Sequence, residues 1–205
     1  MWHRETISPS VEEALLELDS AGVSAGFYLA GGTGLALHLG HRRSADLDLF
    51  RQDAFSPERV VEKLQALDRV RIRQIEPGTV HFDLNDTKAS LLHYGHPLLF
   101  PLQRFMTVEV ADPREIACMK VSAIASRGTR RDFVDLYVVA QTYGLVHVFT
   151  WFQRKFVGTP YSRIHLLKAL TYFEDADREP MPDMLVPLDW HTVTAFFTVE
   201  VPRLL

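Results

Sequence analysis

Asp46 and Asp48, separated by a single leucine in the stretch ADLDLF, are the residues of this chain best spaced to do chemistry. The stretch alternates polar and apolar residues, which predicts a strand. Alternation puts both carboxylates on one face and Leu47 and Leu49 on the other. Two carboxylates roughly 6–7 Å apart along a strand repel unless a cation sits between them. Oxygen ligands with open positions suit a divalent ion such as magnesium, or manganese, and magnesium commonly arrives with substrate phosphates.

Upstream, FYLAGGTGLALHLGHRRS supplies the rest of such a site. Gly31 and Gly32 let a backbone approach a phosphate closely. They end the strand GFYLA in a turn that leads into a separate short apolar helix, TGLALHLG, whose N-terminus favours anions. Thr33 adds a hydroxyl donor, and the basic turn His41–Arg43 stands between the helix and the aspartate strand, with Arg43 a candidate phosphate contact. A Gly-Gly pair alone makes a turn, and an Asp-x-Asp strand alone is a solvated face. The order strand, Gly-Gly-Thr, helix, basic turn, Asp-x-Asp strand is what brings an anion site and a metal site into one supersecondary unit.

The elements that must position these residues are well punctuated. SPSVEEALLELDSAG predicts a helix with Ser10 and Glu13 spaced as a capping box and Gly22 as its stop. GFYLA predicts a short buried strand. SPERVVEKLQAL predicts a helix capped by Ser56 with Pro57 at its first position. Three strand-like runs follow, RVRIRQI, TVHFDLN and KASLLHY, with RFMTVEV as a fourth. If Asn85-Asp86 forms a two-residue turn, Asp83 faces Lys88 and His81 faces Ser90. DPREIACMKVSAIASRG predicts a helix from Asp112-Pro113 to Gly128, and the remainder is mostly helical, ending in a helix from about Trp190. The fold class is therefore α+β: a small mixed or antiparallel sheet flanked by helices, with a helical C-terminal half. The expected division is residues 1–110 and 111–205, or one continuous domain.

In the second half, Lys120, Ala123 and Arg127 share one helix face. Asp132 and Asp135, one turn apart in RRDFVDLY, offer a second carboxylate pair, with Asp132 placed to cap its helix or to pair with Lys120 or Arg127.

Together these motifs resemble a known family. GGT followed by RRSADLDLF is similar to the first motif of the polymerase-beta-type nucleotidyltransferase superfamily. With KVSAIASR and DFVD added, the chain from about Tyr28 to Tyr137 resembles the abortive-infection AbiEii/AbiGii toxin family. The resemblance implies transfer of a nucleotide from a nucleoside triphosphate to an acceptor, with RNA, including transfer RNA, among the acceptors, and with an antitoxin protein as partner. It implies that Gly31, Gly32 and Thr33 hold triphosphate oxygens and that Asp46 and Asp48 bind magnesium. Lys120 and Arg127 would contact the nucleotide, and Asp132 and Asp135 match the fourth motif. The superfamily's third carboxylate is missing, because Ser90 stands at the expected position; Asp83 is a substitute on the neighbouring strand. The alternative reading is a non-catalytic nucleotide- or RNA-binding module that has lost the third carboxylate. A nuclease using the aspartate pair ranks last, since it has little need of the glycine turn.

The bulk numbers set limits. The chain has 205 residues, 47% hydrophobic and 23% charged, with a net charge of −4, so a polyanion partner would need a local basic patch. A single cysteine, Cys118, excludes an internal disulfide and fits a reducing cytoplasm. The most apolar run, Tyr137 to Phe152, is interrupted by Gln141, Thr142 and His147, which speaks against a membrane span. The pairs His38/His41 and His93/His96 have ligand-like spacing without a second cluster, and loop histidines are the expectation there.

Overall fold

The computed structural model describes residues 1–204. Two compact units divide the chain: Met1–Pro97 with Pro101–Asp112, and Leu98–Phe100 with Pro113–Leu205.

The first unit is built on a seven-stranded sheet. Its strands are β1 (Tyr28–Leu29), β2 (Leu47–Arg51), β3 (Val70–Glu76), β4 (Thr79–Leu84), β5 (Thr87–His93), β6 (Gln103–Phe105) and β7 (Val108–Val110), in the spatial order β3-β4-β5-β2-β1-β7-β6. β2 runs parallel to β5, and β1 parallel to β7; the other pairs are antiparallel, so the sheet is mixed. Three helices accompany it: α1 (Pro9–Ser20), α2 (Gly31–Leu39) and α3 (Pro57–Gln65).

One sheet face is apolar because every second residue is. Leu47, Leu49, Val80, Phe82, Leu84 and Leu91 are all buried, and they share a core with Val11, Leu15 and Leu18 of α1 and Leu64 of α3. Burial of this kind stabilises by roughly 25 cal/mol per Å² of apolar surface. The alternate residues of β2, β4 and β5 are thereby left on the other face, where the candidate site lies.

The β4–β5 hairpin has the register read from the sequence. Asp83 pairs with Lys88 and His81 with Ser90, and the turn residues Asn85 and Asp86 have φ of 50° and 64°. Two consecutive left-handed residues twist with the strands they join.

Three local expectations are corrected. The cap of α1 is Ser8, not Ser10: its side chain accepts from the Val11 N–H, and Pro9 takes the first helical position. RFMTVEV is not one strand but the β6–β7 hairpin, reversed at Met106, whose φ is 48°. The glycine pair does not precede a helix but forms its first turn, since α2 begins at Gly31.

The second unit is helical: α4 (Pro113–Ser126), α5 (Arg130–Tyr143), α6 (Leu145–Lys155), α7 (Arg163–Ala169), α8 (Glu174–Asp177) and α9 (Trp190–Glu200). Aromatic edge-to-face packing of Phe133 on Phe173, Trp190 and Phe197 ties α5 to the later elements. A buried ion pair sits inside this unit. Lys155 Nζ donates to Glu115 Oε1, both side chains being fully buried, while Glu115 Oε2 accepts from the Leu99 N–H at 2.9 Å. The Cys118 thiol beside them is pushed up to about 12, by burial first and the Glu115 charge second. It is therefore an inert thiol. No described helix is long and apolar enough to cross a membrane.

Candidate functional site

Asp46 immediately precedes β2 and Asp48 lies within it, and both line one cleft on the open face of the first sheet. The cavity measures about 400 Å³. Across the parallel pair Asp48 stands opposite Ser90, and across the next pair Ser90 stands opposite His81. Asp48, Ser90 and His81 thus form one row over three adjacent strands. His81 Nδ1 lies 3.0 Å from Ser90 Oγ.

The glycine turn closes over the aspartates from β1. Gly31 has φ of 61°, and a Cβ there would stand 2.7 Å from Asp48 Oδ2. Only glycine permits both the backbone conformation and the approach of the carboxylate. A Cβ on Gly32 would collide with the Arg42 guanidinium. Arg42 is buried and donates to the Arg43 carbonyl at 3.0 Å, whereas Arg43 is exposed. Thr33 is buried; its hydroxyl donates to the Asp46 carbonyl and lies 2.9 Å from the Ser44 hydroxyl. With the Ala30 N–H donating to the Asp48 carbonyl at 3.0 Å, these bonds fasten the start of α2 to the aspartate segment. The backbone N–H groups of the first turn of α2 have no intrahelical partners, and the helix dipole places positive charge there.

The outer wall of the cleft comes from β3 to β5. Arg73, Gln74, His81 and Lys88 line it with Ser90. The register of β3 against β4 slips between Ile72 and Gln74. This bulge re-aims Arg73, whose Nε donates to Asp83 Oδ2 at 2.6 Å. Asp83 Oδ1 is buried without a hydrogen-bond partner. Sequence reasoning missed Arg73, because a strict period of two hides a bulge. The signal was Asp83 itself, a half-buried carboxylate in need of a cation.

The residues fit a magnesium ion by the chemistry of their donors. Two carboxylates in one cleft supply hard oxygen ligands and leave positions for water and phosphate oxygens. Among the described residues no cluster of three or more histidine, cysteine or acidic side chains could hold a metal by itself. The spaced histidines are otherwise engaged. One ring nitrogen of His38, on α2, meets the Ala111 carbonyl at 2.9 Å, and His93 meets the Gln52 carbonyl at 3.1 Å.

In the helical unit the other candidate residues come together as an ion-pair cluster. Lys120 Nζ lies 2.8 Å from Asp132 Oδ1 and 2.7 Å from Asp135 Oδ2. Arg127 donates through Nε and a terminal nitrogen to Asp132, at 2.9 and 3.1 Å, and the Thr129 hydroxyl donates to it at 2.7 Å. Burial alone would raise the Asp132 carboxyl, but the charges of Lys120 and Arg127 and their hydrogen bonds hold it down at about 2. For Lys120 burial works the other way, and Asp135 and Asp132 overcome it, raising the ammonium above its ordinary value. Arg127 keeps an exposed side, which lines a separate pocket of about 490 Å³ with His165, Lys168 and Tyr172.

Two solved structures share the fold. A candidate nucleotidyltransferase of Helicobacter pylori superposes with a TM-score of 0.55 over 96% of this chain and 95% of its own, at 15% identity. Helicobacter pylori JHP933 gives 0.54 over 95% and 90%, also at 15% identity. The fold is that of these proteins. An Aquifex aeolicus protein, aq_aa25, is 37% identical over 202 residues, 94% of this chain and 95% of its own. The sequence profile of the nucleotidyl transferase AbiEii toxin family, described as a type IV toxin–antitoxin system, matches residues 13–104 and 74–202. The chain belongs to that family.

Proposed function

We propose that the protein is a magnesium- or manganese-dependent nucleotidyltransferase that moves a nucleotide from a nucleoside triphosphate to an acceptor, RNA being the favoured class. It would act as the toxin of a toxin–antitoxin or phage-defence pair. The observation that carries this reading is the cleft in which Asp46 and Asp48 meet, with Asp48 packed against Gly31. Family membership supports the reaction class and an antitoxin partner.

Asp46 and Asp48 would hold the metal, which when bound stabilises charge on the attacking and leaving oxygens. The N–H groups of Gly31, Gly32 and Thr33 receive phosphate oxygens, while the Thr33 hydroxyl keeps the turn on the aspartate segment. Arg43, Arg73 and Lys88 supply positive charge near the triphosphate, and Asp83 fixes Arg73. The non-catalytic reading rests on Ser90, which stands opposite Asp48 where a third carboxylate is expected.

Incubation with nucleoside triphosphates labelled at the α-phosphate, plus the RNA and protein of a cell extract, decides between them. Label should pass to an acceptor only with divalent metal. Asp46→Asn and Asp48→Asn should each remove transfer and growth inhibition while leaving the circular dichroism spectrum intact. Nucleotide binding with no transfer, identical in wild type and Asp46→Asn, would leave the binding module as the account.

A further inference from the structure

An acceptor hydroxyl that forms a bond to phosphorus must lose its proton, and a positioned base speeds this step about 10²–10⁴-fold. The groups lining the cleft differ in their capacity to take it. Asp46 and Asp48 are the metal-binding carboxylates under the reading above. Arg73 and Lys88 carry hydrogen-bond donors and no acceptor. Gln74 and Ser90 have no useful basicity. His81 is what remains, a half-buried imidazole on the cleft wall.

We propose that His81 accepts the proton of the attacking hydroxyl, a role that rests on the nucleotidyltransferase reading. Its Nδ1 is engaged with Ser90 Oγ at 3.0 Å. In the tautomer that donates Nδ1–H to this oxygen, the lone pair is on Nε2. Ser90 thereby orients the ring from the adjacent strand, one strand from Asp48 in the same row. The base that residue 90 does not provide comes from β4. Asp83, two residues along β4, is tied to Arg73 instead. In the step itself, Nε2 takes the hydroxyl proton as the acceptor oxygen bonds to the α-phosphorus. The bond from that phosphorus to the oxygen bridging it to the β-phosphate breaks, and pyrophosphate leaves with the electron pair.

The test uses the full chain, α-labelled nucleoside triphosphates, magnesium and the same extract acceptors. His81→Ala should lower transfer about 10²–10⁴-fold with nucleotide binding unchanged, and free imidazole should restore part of the rate. His81→Gln keeps a hydrogen-bonding group beside Ser90 but takes no proton, so it should be equally slow; it carries the test if the alanine variant does not fold. Wild-type rates in the folded variants, or a loss that imidazole leaves untouched, would overturn the role of His81 while the Asp46→Asn result still upholds the enzyme. No transfer by the wild-type protein would remove both.

Discussion

The protein holds two pairs of closely spaced aspartates, and their surroundings make them opposites. Asp46 and Asp48, two apart at the start of a strand, are half-buried in a cleft beside a glycine turn. Asp132 and Asp135, three apart on a helix, have side chains only 1% and 0% exposed and meet the ammonium of Lys120. A carboxylate taken fully from water stays ionised only if cations and donors surround it. The second pair satisfies that condition from within the helical unit. The first pair, on the proposed reading, meets a metal that enters the cleft. The same residue type at short spacing thus ends half-buried in a cleft in one unit and buried against a cation in the other.

The largest effect should come from breaking the buried cluster. Lys120→Met keeps the volume but strips Asp132 and Asp135 of their shared cation, and removing one partner of a buried ion pair costs about 3–5 kcal/mol. Chemical denaturation should show a lowered midpoint with little change in slope. Asp48→Asn, the matched change in the cleft, should move the midpoint far less. Equal losses would erase the distinction between the pairs.

Acid sharpens the same contrast. The Asp132 carboxyl is depressed from 3.8 to about 2 in the folded protein. A depressed acid contributes stability above its unfolded pKa and loses it as the pH falls toward the folded one. The contribution, about 2 kcal/mol, should therefore disappear between about pH 4 and pH 2. Thermal unfolding across that range should be steeper in the wild type than in Asp132→Asn, which lacks the titrating group.

How much of this was legible in the sequence depended on the range of the interaction. Period-two alternation and the Asn85-Asp86 turn are local, so the β4–β5 register could be read directly, as could the Ser56-Pro57 start of α3. The β6–β7 reversal was hidden because Met106, an uncommon residue at positive φ, gives no turn signal. The Arg73 bulge, the burial of Lys120 and the Glu115–Lys155 pair depend on tertiary partners. Glu115 and Lys155 are 40 positions apart, and no periodicity reports which charges will be buried together. The glycine pair was legible as a turn between β1 and the aspartate strand, but its close approach to a carboxylate was not. That approach needs the third dimension.

The smallest expected change in stability is also the one most specific to the cleft. Gly31→Ala must hold an L-residue at φ 61° and place a Cβ 2.7 Å from Asp48 Oδ2. The backbone strain costs about 1 kcal/mol, a shift of a few degrees in Tm. Gly22→Ala imposes the same strain, at φ 64°, but its Cβ would find nothing nearer than Lys63 Nζ at 3.6 Å. The two variants should therefore lose similar stability and differ in activity. Gly31→Ala displaces the Asp48 carboxylate and should reduce metal-dependent transfer by an order of magnitude or more, since ångström-scale misplacement of a reacting group costs about 10²-fold. Gly22→Ala should transfer at the wild-type rate. If Gly31→Ala also keeps full activity, Asp48 does not depend on the glycine turn for its position, and the cleft pair loses the feature that sets it apart from the buried one.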